Sequence, residues 1–383
     1  MHVFKNKEQC SGCTACMHSC PVSAITMVTD EEGFQYPDID LKKCVNCGTC
    51  RRICPFNNKY ERKDVLKTPE VYAVKNKDET TRITSSSGGV FSALAEHILK
   101  ADGVVYGAAF DSEFAVKHVK ITKKSELEKL KGSKYIQSDL NDIFLQVKKD
   151  LTLNKHVLFS GTPCQVAGLK AFFKNKIPEK LITVDLVCHG VPSPLIWREY
   201  IAMLQLKMKS KLQSYSFRNK KTGWHNSKLY AEFENHKSLF NDPLLDSFND
   251  IFYKHVALRP ACHSCVFANF ERTSDITLAD FWGIEKHIPE FDDNRGISMV
   301  ILNTNKGKKL FNNVKNELIF EVRNKKETEA DQNLYKPSKV SPQREEFWND
   351  FNKYGFEYVA KKYTGYGTTI KIKRLFKKIL RKS

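Results

Sequence analysis

The stretches CSGCTACMHSCP at residues 10–21 and CVNCGTCRRICP at residues 44–55 carry one cysteine spacing, C-x2-C-x2-C-x3-C-P. Cys10, Cys13, Cys16 and Cys20 of the first correspond to Cys44, Cys47, Cys50 and Cys54 of the second. Thiolates two residues apart can wrap one face of an inorganic cube from a single loop, and the fourth, a helical turn further on, reaches a neighbouring cube. Structural zinc needs only four ligands and gives no reason for a third spaced cysteine followed by proline in both copies. A disulfide framework suits a small exported domain, whereas this chain of 383 residues reads as having no secretory signal before Cys10.

Such spacing is that of the bacterial two-cluster ferredoxin run. It predicts two 4Fe-4S clusters that exchange their fourth ligands: Cys10, Cys13, Cys16 and Cys54 around one, Cys44, Cys47, Cys50 and Cys20 around the other. Residues 1–60 are therefore expected to form an α+β ferredoxin head, and residues 61–68 a polar linker to a larger body. No apolar run is long enough to cross a bilayer, and the abundance of cysteine as metal ligand points to a reducing cytoplasm.

The formal charge of +18 invites a nucleic-acid reading, but no zinc finger, glycine-rich basic tract or repeated aromatic and basic alternation supplies a reading element. An acidic partner, such as reduced ferredoxin or another low-potential donor, is a less demanding explanation. Part of the excess is local. Residues 367–383 read as a basic amphipathic tail, with Ile372, Leu375, Phe376, Ile379 and Leu380 on one helical face and lysines and arginines opposite. That face suits either peripheral contact with the inner face of the cell membrane or packing on the body.

In the body, strand and helix patterns alternate, which predicts an α/β fold with a mixed, partly parallel sheet. Ser85, Ser86, Ser87, Gly88 and Gly89 precede an apolar run of helical period, so the loop either simply caps a helix or presents backbone donors to a phosphate. Gly132, Ser133, Lys134, Tyr135, Gln137 and Ser138 form a second polar patch, in which Lys134 could meet a phosphate and Tyr135 a ring, or which is merely a surface turn. A charged helix is expected around residues 125–131. Thr162 and Pro163 start a helix with Cys164 in its first turn, a position that lowers a thiol pKa. A strand then runs into Cys188 and His189, ahead of a helix from Pro194. Both cysteines fall at carboxyl ends of strands, where sites in α/β folds gather. Cys262 and Cys265 add a C-x2-C pair; the four thiols could hold a third cluster, hold zinc, or act as two unrelated pairs, one of them redox-active.

Taken together, SSSGGVFSALAEHIL, YGAAF, KGSKYIQS, FSGTPCQVAGLK, DLVCHGVPSP and CHSCVFANFERTSDITLADFWG resemble the beta-subunit family of coenzyme F420 hydrogenases and dehydrogenases, a family that includes flavin and iron-sulfur reductases. On that resemblance residues 69–150 are the N-terminal part of a flavin-binding body and 151–320 an iron-sulfur and FAD catalytic body, while the charge density and aromatic spacing beyond it suggest an accessory helical region over 321–366, or a partner surface. It implies noncovalent FAD held by Ser87, Gly88, Gly89, Ser133, Lys134, Tyr135, Gln137, Ser138 and Arg295. It also implies a third 4Fe-4S cluster on Cys164, Cys188, Cys262 and Cys265.

The implied activity is an FAD-dependent oxidoreductase that passes electrons from reduced ferredoxin through the clusters to FAD and a small organic acceptor. The deazaflavin coenzyme, an unsaturated metabolite and a nucleotide-linked or lipid-linked sugar all stand open as that acceptor. Two alternatives are a noncatalytic electron-transfer subunit of a larger hydrogenase or dehydrogenase complex, and a metal-stabilised scaffold or nucleic-acid-binding protein. His189, Trp224 and His225, in polar, turn-rich segments, are candidates for substrate contact or proton transfer, against the plainer reading of satisfied surface side chains.

Overall fold

The computed structural model describes residues 3–57, 65–174 and 176–367. The head strings short elements between its cysteines: helix α1 (Ala15–His18), the antiparallel pair β1 (Ile25–Thr29) and β2 (Gln35–Ile39), and helix α2 (Thr49–Ile53). Each helix lies inside one cysteine motif, so the fourth cysteine of that motif is carried a turn away from the other three.

In chain order the body comprises β3 (Val65–Asn76), α3 (Glu79–Thr84), α4 (Val90–Lys100), β4 (Val104–Phe110), β5 (Val116–Ile121), α5 (Ile143–Thr152), β6 (Val157–Gly161), α6 (Pro163–Phe172), β7 (Leu181–Leu186) and α7 (Pro194–Met208). A small antiparallel sheet of β8 (Leu212–Asn219), β9 (Lys228–Phe233) and β10 (Ser238–Phe240) follows. After it come α8 (Pro243–Tyr253), β11 (Ile276–Asp280), β12 (Ser298–Thr304), α9 (Asn305–Val314), β13 (Leu318–Arg323) and α10 (Arg344–Tyr363).

The large sheet runs β13-β3-β12-β11-β7-β6-β4-β5, with β4, β6, β7 and β11 parallel at its centre and antiparallel strands toward both edges. Leu158 and Val184 on one face, and Val157, Phe159 and Leu181 on the other, are fully buried, as strands covered on both sides require. Helices α4 and α9 cover the first face, α5 and α6 the second. A separate aromatic core joins α7, α8 and the small sheet to α10 through Trp197, Tyr200, Phe217, Phe248, Phe347 and Phe356.

Several sequence expectations need adjustment. Of the interval expected as linker, Val65 to Thr68 already lie in β3, where Val65 pairs with Thr304 of β12. The charged helix expected around residues 125–131 is a 3-10 run, Lys124–Leu130, whose Leu127 and Leu130 stand three apart on one face and are both buried. Within 321–366, the end of β13 and two short 3-10 turns precede α10. The basic tail lies, beyond Gly367, outside the described residues. Among the described residues no helix is long and apolar enough to cross a membrane.

Three central strands share one buried carboxylate. Asp275 accepts from the Thr183 amide at 2.7 Å, the Thr183 hydroxyl at 2.6 Å and the Thr304 hydroxyl at 2.9 Å, which ties β7 and β12 to the start of β11. Burial works to raise its pKa, but the charges of Lys170 and Lys306 and the Thr183 donors outweigh it and hold the carboxyl below its ordinary value. Asp275→Ala is expected to lower the unfolding free energy by about 3 kcal/mol, read as a lower urea midpoint at neutral pH. Because the folded pKa is depressed, that contribution is complete above the ordinary carboxylate range and drains away as pH falls through the folded value.

Candidate functional site

The head gathers its eight cysteines into two groups of four. Cys10, Cys13, Cys16 and Cys54 line one small recess, and Cys20, Cys44, Cys47 and Cys50 line another. Each group therefore takes three sulfurs from one motif and the fourth from the other. In the first, burial pushes Cys13 up to about 12, with Cys54 and Cys10 adding like-charge repulsion, and it drives Cys16 well above its ordinary value. Four sulfurs crowded into one recess form a ligand set for a group that places cations among them. The second group faces outward: Cys47 is exposed, and its neighbour Val45 is 61% exposed.

The four body cysteines also converge. Cys164 is in the first turn of α6, Cys188 follows β7, and Cys262 and Cys265 sit in and just after the 3-10 turn Pro260–Ser264. Burial pushes Cys188 up to about 12 and Cys265 to about 11, with the other body thiols adding repulsion. The Gly190 and Val191 amides donate to the sulfurs of Cys188 and Cys262, each at 3.4 Å. Cys164 differs from its sequence expectation: burial raises its pKa, outweighing the Thr162 hydroxyl and the Arg259 charge that work to lower it. The helix start alone does not make it a free thiolate.

The body quartet touches the head. A Cβ added to Gly168, one turn beyond Cys164 on α6, would meet Cys13 Cβ at 2.7 Å and Cys13 Sγ at 2.9 Å. The missing side chain is what lets the first head quartet lie against the helix that carries a body cysteine.

On the other side of Cys188 opens a cavity of about 350 Å³ at the carboxyl ends of the parallel strands. Ser87, Gly89, Ser133, Lys134, Tyr135, Ser138 and His189 line it, together with Arg218, Asp280 and Trp282. Ser133 bonds Ser86 through both its amide, at 2.7 Å, and its hydroxyl, at 2.9 Å, closing the two polar loops onto each other. Lys134 turns its ammonium to the carbonyls of Lys129 and Lys131, and burial pulls its pKa down to about 7. Ser138 is committed to His118 Nδ1 at 2.9 Å, while His118 Nε2 donates to the Ser160 carbonyl at 2.9 Å. Burial lowers the His118 pKa to about 4, so this imidazole stays neutral.

Other expected site residues stand elsewhere. Gly88 does not line the cavity; a Cβ there would meet the Val74 carbonyl oxygen at 2.3 Å, so it serves close packing of the loop on β3. Gln137 faces the head, donating to the Ser11 carbonyl at 3.1 Å. Arg295 pairs with Glu79 on the surface at 2.6 Å. Trp224 is fully buried, stacked on Trp282 with ring centroids 4.8 Å apart, and its indole donates to Asp280 at 2.8 Å. His225 meets Asp292 at 2.5 Å outside the cavity, in a group with Glu285 whose ligand atoms lie within 4.8 Å of one another. His189 pairs through Nε2 with His255 at 2.7 Å.

Sequence reasoning passed over Arg218, which forms an ion pair with Asp280 at 2.7 Å, lies over Trp282 and leaves one buried nitrogen unpartnered at the cavity wall. It also passed over Lys220, whose ammonium donates to the carbonyls of Arg82, Ser87 and Arg295. In a chain this basic, RNKK carries no local signal that separates these two from solvated charges.

Two family profiles for the beta subunit of coenzyme F420 hydrogenase/dehydrogenase match the body, the N-terminal one over residues 71–144 and the C-terminal one over residues 154–328. A 4Fe-4S dicluster domain profile matches residues 9–58. The chain belongs to the coenzyme F420 hydrogenase/dehydrogenase beta-subunit family. Its head is an iron-sulfur domain of ferredoxin type joined to the beta-subunit body, which makes it an iron-sulfur protein of an oxidoreductase family. Over 190 residues this family member is 22% identical to the F subunit of the F(420)H(2) dehydrogenase of Methanosarcina mazei, covering 47% of this chain and 53% of that protein. The chain thus spans about half the length of that relative. The chain is also 33% identical over 73 residues to a 7Fe ferredoxin of Hydrogenibacillus schlegelii, covering 18% of this chain and 87% of the ferredoxin. A solved structure of the F420-reducing NiFe hydrogenase complex from Methanosarcina barkeri aligns with 18% identity and a TM-score of 0.46, over 79% of this chain and 94% of that one.

Two substitutions test the head geometry. Cys54→Ser is expected to disturb the same cluster signal in low-temperature EPR as Cys13→Ser, and Cys20→Ser the other; a pattern in which Cys20 and Cys13 affect one signal would contradict the exchange. Gly168→Val should displace Cys13 and alter that first signal while the second keeps its g-values.

Proposed function

We propose that the chain is the electron-transfer subunit of a larger redox assembly, with two clusters in the head, a third on Cys164, Cys188, Cys262 and Cys265, and FAD in the body cavity. The observation that carries this reading is adjacency: Cys188 belongs to the half-buried body quartet and to the cavity wall, while Gly168 brings Cys13 against the helix that carries Cys164. When bound, the clusters supply single-electron transfer and the flavin supplies paired, hydride-capable exchange.

What the chain contributes is position and exclusion of water. The start of α4, which has no side-chain cap, offers backbone donors to an anionic group, as helix starts do, while the Ser85 and Gly88 amides of the preceding loop are taken by the Thr81 carbonyl and the Ser298 hydroxyl. Tyr135 and Trp282 offer aromatic faces, and the ion pair of Arg218 with Asp280 fixes one wall. His118, held neutral, anchors Ser138 and so stiffens the strand edge beneath. The outward second quartet, with exposed Lys42, Lys43, Arg51 and Arg52 around it, suits an acidic one-electron partner such as reduced ferredoxin. Thiols that must remain reduced suit a cytoplasmic setting.

A second reading, reduction of a small organic acceptor by this chain alone, is favoured by the size of the cavity, which falls in the range of small-molecule sites. The two differ in what the purified chain does with an acceptor: turnover without another subunit supports catalysis in this chain, and turnover only after a partner is added supports the subunit reading.

Anaerobically purified chain should hold about twelve irons and about one releasable flavin, because each 4Fe-4S cluster brings four irons. About eight irons would remove the body cluster from this reading, and full iron without flavin would remove FAD while leaving the head intact. Arg218→Ala is expected to cut flavin occupancy at least tenfold with iron content unchanged, measured on the same preparation.

A further inference from the structure

Arg259 lies between the head and the body and is 1% exposed. Its Nε donates to the Cys10 carbonyl at 2.6 Å, one terminal nitrogen to Gln137 Oε1 at 3.0 Å, and the other to the Gln35 carbonyl at 2.8 Å. That last nitrogen also points at Cys10 Sγ, 3.7 Å away. Phe34 and Tyr36 enclose the guanidinium carbon at 5.4 and 4.3 Å from their ring centroids.

Among the described residues no carboxylate pairs with Arg259. A guanidinium keeps its proton under all ordinary conditions, and burying one without an anion costs several kcal/mol. The anions within its reach are sulfurs. Cys10 of the first head quartet is on one side, and the charge of Arg259 is also felt at Cys164 of the body quartet. Around the second head quartet the described cations, Lys42, Lys43, Arg51 and Arg52, are exposed, as is Cys47 itself, so solvent screens their charge.

We propose that Arg259 is a positioning residue of the electron relay, a fixed positive charge that stabilises the reduced state of the cluster held by Cys10, Cys13, Cys16 and Cys54. One-electron reduction adds one negative charge to that cluster, and a desolvated cation with an N–H aimed at its sulfur favours the more negative state. The outward cluster has only solvent-screened cations beside it, so electrons arriving there are drawn to the inward cluster beside Cys164. The inference rests on the head being loaded with two clusters, and not on flavin in the cavity.

The test is an EPR-monitored redox titration of the anaerobically purified full chain. Arg259→Met should weaken reduction of one head cluster at least tenfold, about 59 mV for a one-electron couple, while the other keeps its potential. Arg259→Lys, which retains charge but loses the planar fork, should move the same cluster less. Should the Met variant fail to load iron, Arg259→Lys and Gln137→Ala, which removes one anchor of the guanidinium, carry the test with smaller shifts in the same direction. Unshifted potentials in the loaded variants, or equal shifts of both head clusters, would overturn the proposal. Because the unaffected cluster is an internal standard, failure here is distinct from failure of the cluster assignment itself, which would show as no titratable head signals in the wild-type chain.

Discussion

The contact on which the rest of the molecule turns is that of Cys13 with the bare flank of α6 at Gly168, one helical turn from Cys164. A side chain at Gly168 would occupy the space of Cys13, so the close approach of the head to this helix depends on that glycine. The remaining head contacts serve the same approach from other directions. Gly33 packs against Leu195, the Ser193 hydroxyl donates to the Glu32 carbonyl at 2.5 Å, Glu32 pairs with Arg344, and His18 meets the Asn141 carbonyl at 2.7 Å. Each polar contact contributes a small net amount. Their spread over α5, α7 and α10 is what fixes the head in one orientation.

From that docking follows the order of the thiol groups. The outward head quartet reaches solvent through Cys47, the inward one is partly buried against α6, and the body quartet lies between α6 and the cavity. The same burial that makes isolated thiolates costly is offset by cations. Arg259 approaches Cys10, and Arg272, paired with Asp185 at 3.1 Å, acts electrostatically on Cys188 and Cys265. A low local dielectric strengthens both the repulsion among sulfurs and the attraction to these arginines.

The parallel centre of the sheet explains why the cavity sits where it does. Strands β6 and β7 end at Gly161 and Leu186; Thr162, after the first, and Cys188 and His189, after the second, line the crevice, and Cys164 follows in the first turn of α6. The serine and glycine loop before α4 and the Ser133–Ser138 loop close the opposite side, joined by the Ser86–Ser133 bonds. Residues that read as equivalent in a linear motif divide once folded: Tyr135 and Ser138 face the cavity while Gln137, between them, faces the head.

The head's cysteine motifs were legible from the chain alone, since ligand spacing along a loop is a local property that needs no knowledge of distant contacts. So were the alternation of strands and helices and the start of α6 at Thr162, which depend on periodicity and capping within a few residues. Tertiary structure decided the rest. Arg259 is 249 positions from Cys10, Arg218 is 62 from Asp280, and Trp224 reads as an exposed turn residue yet is buried under Trp282. Composition assigns such arginines to a solvated basic surface; only folding shows which ones lose water, and a charge acquires its role when the groups that replace its hydration come from remote parts of the chain.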